Sequence, residues 1–154
     1  MIRDTRLSGV LHVLLHMAEH DGPVTSETLS RMMQTNPVVI RRIMAGLRER
    51  DFVRSEKGHG GGWTISRDLD RITLKDIYEA IGSPPLFAIG HRSDTPACAV
   101  EQAVNAVLES SLCDAEALLL TAFANVTLAQ LSADFHRRLA TRIPTCPTEK
   151  RHAS

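Results

Sequence analysis

"NPVVIRRIMAGLRERDFVRSEKGHGGGWTIS", residues 36–66, decides how the chain is to be read. It opens with Asn36–Pro37, a side chain able to cap a helix followed by proline at the first helical position. Ile40, Ile43, Met44 and Leu47 then recur at helical spacing as one buried stripe. Val38, Arg42 and Ala45 mark the opposite face, flanked by Val39 and Arg41. Phe52–Glu56 and Trp63–Ser66 each read as strands, and the glycine-rich stretch Gly58–Gly62 lies between them. A phosphate-cradling glycine loop would instead run from a strand into a helix and end in Lys-Ser/Thr. Strands on both sides make this loop the tip of a β-hairpin. A hairpin directly behind an arginine-bearing helix is a wing.

The flanking sequence supplies the rest of the unit. Upstream, Leu7, Val10, Leu11, Leu14 and Ala18 give residues 5–20 the pattern of an amphipathic helix, ended by Gly22–Pro23. Thr25 then caps a short second helix with Glu27 in its first turn and Leu29, Met32 and Met33 facing inward. Three helices joined by short turns, the third carrying arginines on its outer face, make a helix-turn-helix. Downstream, Thr73 and Asp76 suit a capping box for a fourth helix, with Leu74, Ile77, Tyr78 and Ile81 as its apolar face. Gly82 and Pro84–Pro85 stop that helix, and residues 83–97 are a connecting loop. From about Ala99 to Phe123 a long helix carries apolar residues over much of its circumference, among them Val100, Val104, Val107, Leu108 and Leu112. Such a helix cannot stand alone in water, and pairing with a second copy is the economical way to cover it. Thr127 and Gln130 form a second capping box, opening a last helix to roughly Leu139. The fold class is therefore mostly α with a small β-hairpin. A winged helix-turn-helix domain spans 1–82, the loop 83–97, dimerisation helices 98–140, and a polar, proline-broken tail 141–154 expected to be disordered.

Composition narrows the function. With 43% apolar residues among 154, the chain can build a core, and no apolar run approaches a membrane span. The N-terminal MIRDTRLSG has no apolar signal segment behind it, which points to the cytoplasm. Formal net charge is zero, but its distribution is uneven. Residues 36–67 hold seven Lys/Arg against three Asp/Glu, whereas residues 83–135 hold one Arg against six Asp/Glu. A basic patch on an acidic body fits a nucleic-acid partner better than net charge suggests. No nucleophile–base pair or carboxylate dyad stands out, so an enzyme is not expected.

The segment "NPVVIRRIMAGLRERDFVRSEKGHGGGWTISRD", followed by "ITLKDIYEAIG", resembles the Rrf2 family of winged-helix transcriptional regulators, the IscR-, NsrR- and CymR-like proteins. "TLAQL" after the long helix resembles the family's ending. The family's wing pattern is Arg-Gly-x-x-Gly-Gly-Tyr; Lys57 replaces the arginine here and Trp63 the tyrosine. The resemblance implies a homodimeric, sequence-specific DNA-binding regulator, read here as a repressor under the control of an unidentified small-molecule or redox effector. It places Lys57 at the position that enters the minor groove in relatives, with His59 and Gly60 beside it on the wing. Asn36, Val38, Val39, Arg41 and Arg42 complete the expected DNA-binding set, arginine reaching guanine edges or phosphates and valine pressing on a thymine methyl. Dimerisation falls to Val100, Val104, Val107, Leu108 and Leu112.

Many relatives hold an iron–sulfur cluster on three cysteines in the loop before the long helix. Cys98 stands where the last of these falls, and residues 82–97 contain no other. The acidic residue that some relatives use in the first helix aligns with Ser8. A lone thiolate makes a poor cluster site, so no cofactor is expected. Cys98 remains a possible sensor, since a helix N-terminus lowers a thiol's pKa. Cys113 reads as a small core residue and Cys146 as incidental. His12, His16 and His20, spaced by four, could chelate zinc, but with no cysteine or carboxylate placed among them they read as a polar stripe, and no metal site is assigned. Two alternatives stay open: a winged-helix module that binds protein, and a thiol or iron–sulfur redox regulator built on Cys98.

Overall fold

The computed structural model describes residues 4–142. Most of the tail, with Cys146, lies outside the described residues. Six helices and one hairpin follow in order: α1 (Arg6–Glu19), α2 (Ser26–Met32), α3 (Pro37–Glu49), β1 (Val53–Glu56), β2 (Gly62–Ile65), a 3-10 turn (Leu69–Arg71), α4 (Leu74–Ala80), α5 (Ala99–Ala124) and α6 (Leu128–Arg142). The starts of α2, α3, α4 and α6 are where capping chemistry puts them. Thr25 Oγ1 accepts from the Thr28 N–H at 3.2 Å, and Asn36 Oδ1 from the Val39 N–H at 3.0 Å with Pro37 beginning α3. Thr73 and Asp76 exchange both bonds of a capping box. Thr127 and Gln130 do the same for α6.

One apolar core joins these elements. Val10, Val13 and Leu14 of α1, Leu29 of α2 and Ile40, Met44 and Leu47 of α3 meet Phe52, Val53, Ile72 and Ile77 in it. Fully burying each such side chain contributes about 1.5–3 kcal/mol. The helical stripes of α1 and α3 therefore turn inward as their periodicity requires. Leu128 is completely buried in the same cluster. It gets there because the starts of α4 and α6 are spliced: Leu74 N–H donates to the Val126 carbonyl and Leu128 N–H to that of Ile72, both at 2.9 Å. The last helix thus rejoins the winged unit after the long excursion of α5.

The hairpin is antiparallel, with Val53 opposite Ile65 and Ser55 opposite Trp63. Trp63 also bridges Val24, ahead of α2, through two backbone hydrogen bonds of 2.9 and 2.8 Å. A Cβ on Gly62 would lie 2.6 Å from the Val24 carbonyl oxygen, so only glycine permits this approach. This third extended segment and the 3-10 turn have no counterpart in the sequence reading. A one-residue bridge and a three-residue turn carry no periodicity to detect.

Cys113 is exposed, contrary to its reading as a core residue. The cause is the setting of α5, whose packing within the protomer is chiefly against α4, as in the edge-to-face pair of Tyr78 and Phe123. Much of its apolar surface is left bare: Val100 is 72%, Val107 66% and Leu118 75% exposed. Ahead of α5, the loop is tied down where Asn105 Nδ2 donates to the Ser93 carbonyl and Gln102 Nε2 to that of Pro96.

Candidate nucleic-acid interface

α3 owes its orientation to its two faces. Burial of Ile40, Met44 and Leu47 leaves Val38, Val39, Arg41 and Arg42 on the outside. Val38 is 63% and Val39 37% exposed, so two apolar side chains stand beside the arginines on this face. Asn36 is exposed too, but its side-chain oxygen is engaged in capping. The two arginines differ. Arg41 Nη2 lies 3.2 Å from Glu27 Oε1 of α2, whereas Arg42 makes no ion pair among the described residues. Glu27 is the residue of this surface that sequence reading missed. It sits fourteen positions from Arg41, and no local spacing announces a contact between two helices.

The wing is built on Trp63. Its ring is buried, its Nε1 donates to Ser26 Oγ at 3.0 Å, and the Arg48 guanidinium stands 5.9 Å from the ring centroid. The hairpin is thereby fixed to the start of α2 and the end of α3, the two helices of the turn motif. From this base Lys57, His59 and Gly60 project at the tip, all exposed. Gly60 has φ of +74° and open space around its missing side chain. Arg54 on β1 adds a further cation, held by Thr64 Oγ1 at 3.1 Å. The wing and the outer face of α3 together present cations, small backbone and two bare valines, the chemistry of phosphate and base-edge contact. Of the expected DNA-binding set, Val38, Val39, Arg41 and Arg42 lie on the outer face of α3, Asn36 caps its start, and Lys57, His59 and Gly60 lie at the wing tip.

Cys98 lies elsewhere, exposed at the N-terminus of α5. No hydrogen bond of ordinary capping geometry reaches it, but the backbone N–H of Glu101 and then that of Val100 face the sulfur and hold its pKa below the usual thiol value. Its nearest cysteine in sequence, Cys113, is fifteen residues further along the same helix, about 22 Å at 1.5 Å per residue. No group of three His, Cys, Asp or Glu among the described residues is arranged to hold a metal ion. An iron–sulfur cluster needs several soft anionic ligands. The described donors of one protomer therefore do not fit one.

A family model described as an iron-dependent transcriptional regulator, Rrf2, matches residues 3–134. Among curated relatives, a Bacillus subtilis protein provisionally named as the HTH-type transcriptional regulator YwnA is 29% identical over 109 residues, covering 70% of this chain and 80% of its own. Among solved structures, IscR of T. potens superposes with a TM-score of 0.65 at 18% identity, covering 90% of both chains. A Lactobacillus plantarum structure, provisionally described as a transcriptional regulator, gives a TM-score of 0.70 at 23% identity, with 86% of this chain and 90% of that one covered. At these identities the structures speak for the fold alone.

Proposed function

This chain belongs to the Rrf2 family of transcriptional regulators, and from that premise we propose that it acts in the cytoplasm as a homodimeric repressor reading a two-fold symmetric DNA site. It is a DNA-binding regulator and not an enzyme. The observation that carries the finer reading is the bare, cationic first half of α3 beside a wing fixed to the same turn motif by Trp63. α3 enters the major groove with Arg42 and Val38 at base edges, and the wing tip carries Lys57 to the minor groove. Two copies joined through α5 present two such units, which calls for an inverted repeat. No helix among the described residues is long and apolar enough to cross a membrane.

Control by a resident iron–sulfur cluster is not part of this proposal. The support is the donor set: among the described residues Cys98 and Cys113 stand fifteen residues apart along one helix, where several thiolates must converge. Regulation then rests with another effector, or with the Cys98 thiol itself. The protein interaction alternative has less support, since Arg42, without an ion pair among the described residues, stands beside a glycine-rich wing tip carrying Lys57, a pairing of cation and accessible backbone that suits a phosphate backbone.

The test uses protein isolated without oxygen. Genome-wide mapping of bound sites supplies an operator, and fluorescence anisotropy compares it with a scrambled duplex across a salt series. Affinity should favour the operator and fall steeply with salt as phosphate contacts release counterions. The same preparation should contain no stoichiometric iron or acid-labile sulfide. Equal affinity for both duplexes, or a flat salt response, would remove the DNA-reading proposal. Stoichiometric iron that is lost in Cys98→Ser would remove the clusterless one.

A further inference from the structure

We propose that His12 and His16 form a two-point chelate for one borderline divalent transition-metal ion, of the zinc, nickel or copper(II) class, on the outer face of α1. The two residues are four apart on a helix, which sets one side chain above the other. In the folded chain their Nε2 atoms are 3.0 Å apart, and the rings meet edge to face with centroids 4.6 Å apart. Two imidazole nitrogens bound to one ion at about 2.0–2.1 Å, with the angle at the metal between roughly 90° and 110°, lie roughly 2.9–3.3 Å from one another. The pair already holds that separation. Taking up an ion requires a small turn of each ring and Nε2 lone pairs on both, with the ring hydrogens on Nδ1.

The neighbouring histidines single this pair out. His20 directs Nδ1 to the Gly22 carbonyl at 3.3 Å, and His136 of α6 is bound to Glu19 at 3.0 Å. Each of those rings has a partner that fixes it. Among the described residues His12 and His16 engage only one another, both are exposed, and no carboxylate pairs with either. With no third protein donor among the described residues, the remaining coordination positions fall to water. Neutral nitrogen donors of this kind select zinc, nickel and copper(II) over magnesium or calcium, which take oxygen. Because α1 packs on β2, α4 and α6, an ion clamped across one turn of it would stiffen the helix around which the unit is assembled. This inference rests on neither Cys98 nor the DNA-reading surface.

The experiment is isothermal titration of the full chain, free of any affinity tag, with Ni²⁺ and Zn²⁺, and with Mg²⁺ as the oxygen-seeking control. The variants are His12→Gln, His16→Gln and His136→Gln, each checked for unchanged helicity by circular dichroism. One ion per protomer should bind, and each of the first two substitutions should weaken it roughly tenfold or more by leaving a single ring to hold the ion. His136→Gln should leave affinity unchanged, and Mg²⁺ should not bind. Imidazole resonances of a ¹⁵N-labelled chain should report Nε2 ligation in the parent under Zn²⁺. Binding that survives both His12→Gln and His16→Gln, or binding abolished by His136→Gln, would overturn the assignment. A parent chain that binds no more ion than His12→Gln or His16→Gln would do the same.

Discussion

At the scale of single residues, Trp63 ties together segments far apart in the sequence. Its backbone pairs with Val24 and Ser55, its indole N–H reaches Ser26, and its ring lies under Arg48. Trp63→Phe would keep most of the apolar contact while leaving the Ser26 hydroxyl without its donor. A buried group stripped of its partner costs about 1–3 kcal/mol, and lost ring volume adds to that. Equilibrium urea unfolding should show Trp63→Phe destabilised by about 2–3 kcal/mol. Ser26→Ala, which leaves the indole N–H alone, should fall by a smaller but comparable amount. A loss within error in both would mean that the wing is not held by this bond. An aromatic residue under the wing was legible in "GGGWTIS"; its partner thirty-seven positions away was not, because nothing local in a sequence encodes a contact between distant segments.

At the scale of elements, legibility follows the range of the force involved. The caps of α2, α3, α4 and α6 stood in the sequence, because a side chain bonding a backbone N–H three positions on is local chemistry. So did the buried stripes of α1 and α3, whose period is set by the helix itself. Cys113 was misread for the complementary reason. Its helix is apolar nearly all round, so periodicity could not say which side meets the protomer and which is left bare. The candidate interface divides likewise: α3 and the wing were placed by pattern, but the hold of Glu27 on Arg41 came from packing alone. That hold bears on function. Arg42, without such a partner, is the better candidate to read a base, and Lys57 at the glycine tip the better candidate for backbone phosphate. Arg42→Ala should therefore shrink the ratio of operator to scrambled-duplex affinity. A lost bidentate base contact is worth about 1–3 kcal/mol of that discrimination. Lys57→Ala should weaken both duplexes to a similar degree and lower the salt slope by about one. Anisotropy titrations of the two variants on the two duplexes decide this, and indistinguishable behaviour would show that the roles are assigned wrongly.

At the scale of the whole molecule, the unexplained expense is α5. A protomer that buries Leu14, Leu29, Ile40 and Leu47 completely leaves Val100, Val104, Val107 and Leu118 facing water along a 26-residue helix. Scattered exposed apolar residues are ordinary, but here Ala99, Val100, Ala103, Val104, Val107 and Leu108 form one continuous apolar face along the first turns of the helix. A contiguous apolar face of this kind marks an interaction surface, and a helix presenting the same face in every copy suits a two-fold contact. Val104→Asp tests it, because Val104 is half exposed in the protomer and becomes buried only if the helices pair. In a lone protomer a carboxylate there would be solvated and nearly harmless. Inside a paired-helix interface it would be an unpartnered buried charge, costing on the order of several kcal/mol. Sedimentation equilibrium should find the parent dimeric and Val104→Asp monomeric, with helicity by circular dichroism retained. Operator affinity should collapse at the same time, since one α3 alone grips half a site. A Val104→Asp protein that sediments as a dimer and binds operator as the parent does would exclude this α5 face as the dimer contact and leave it to another occupant.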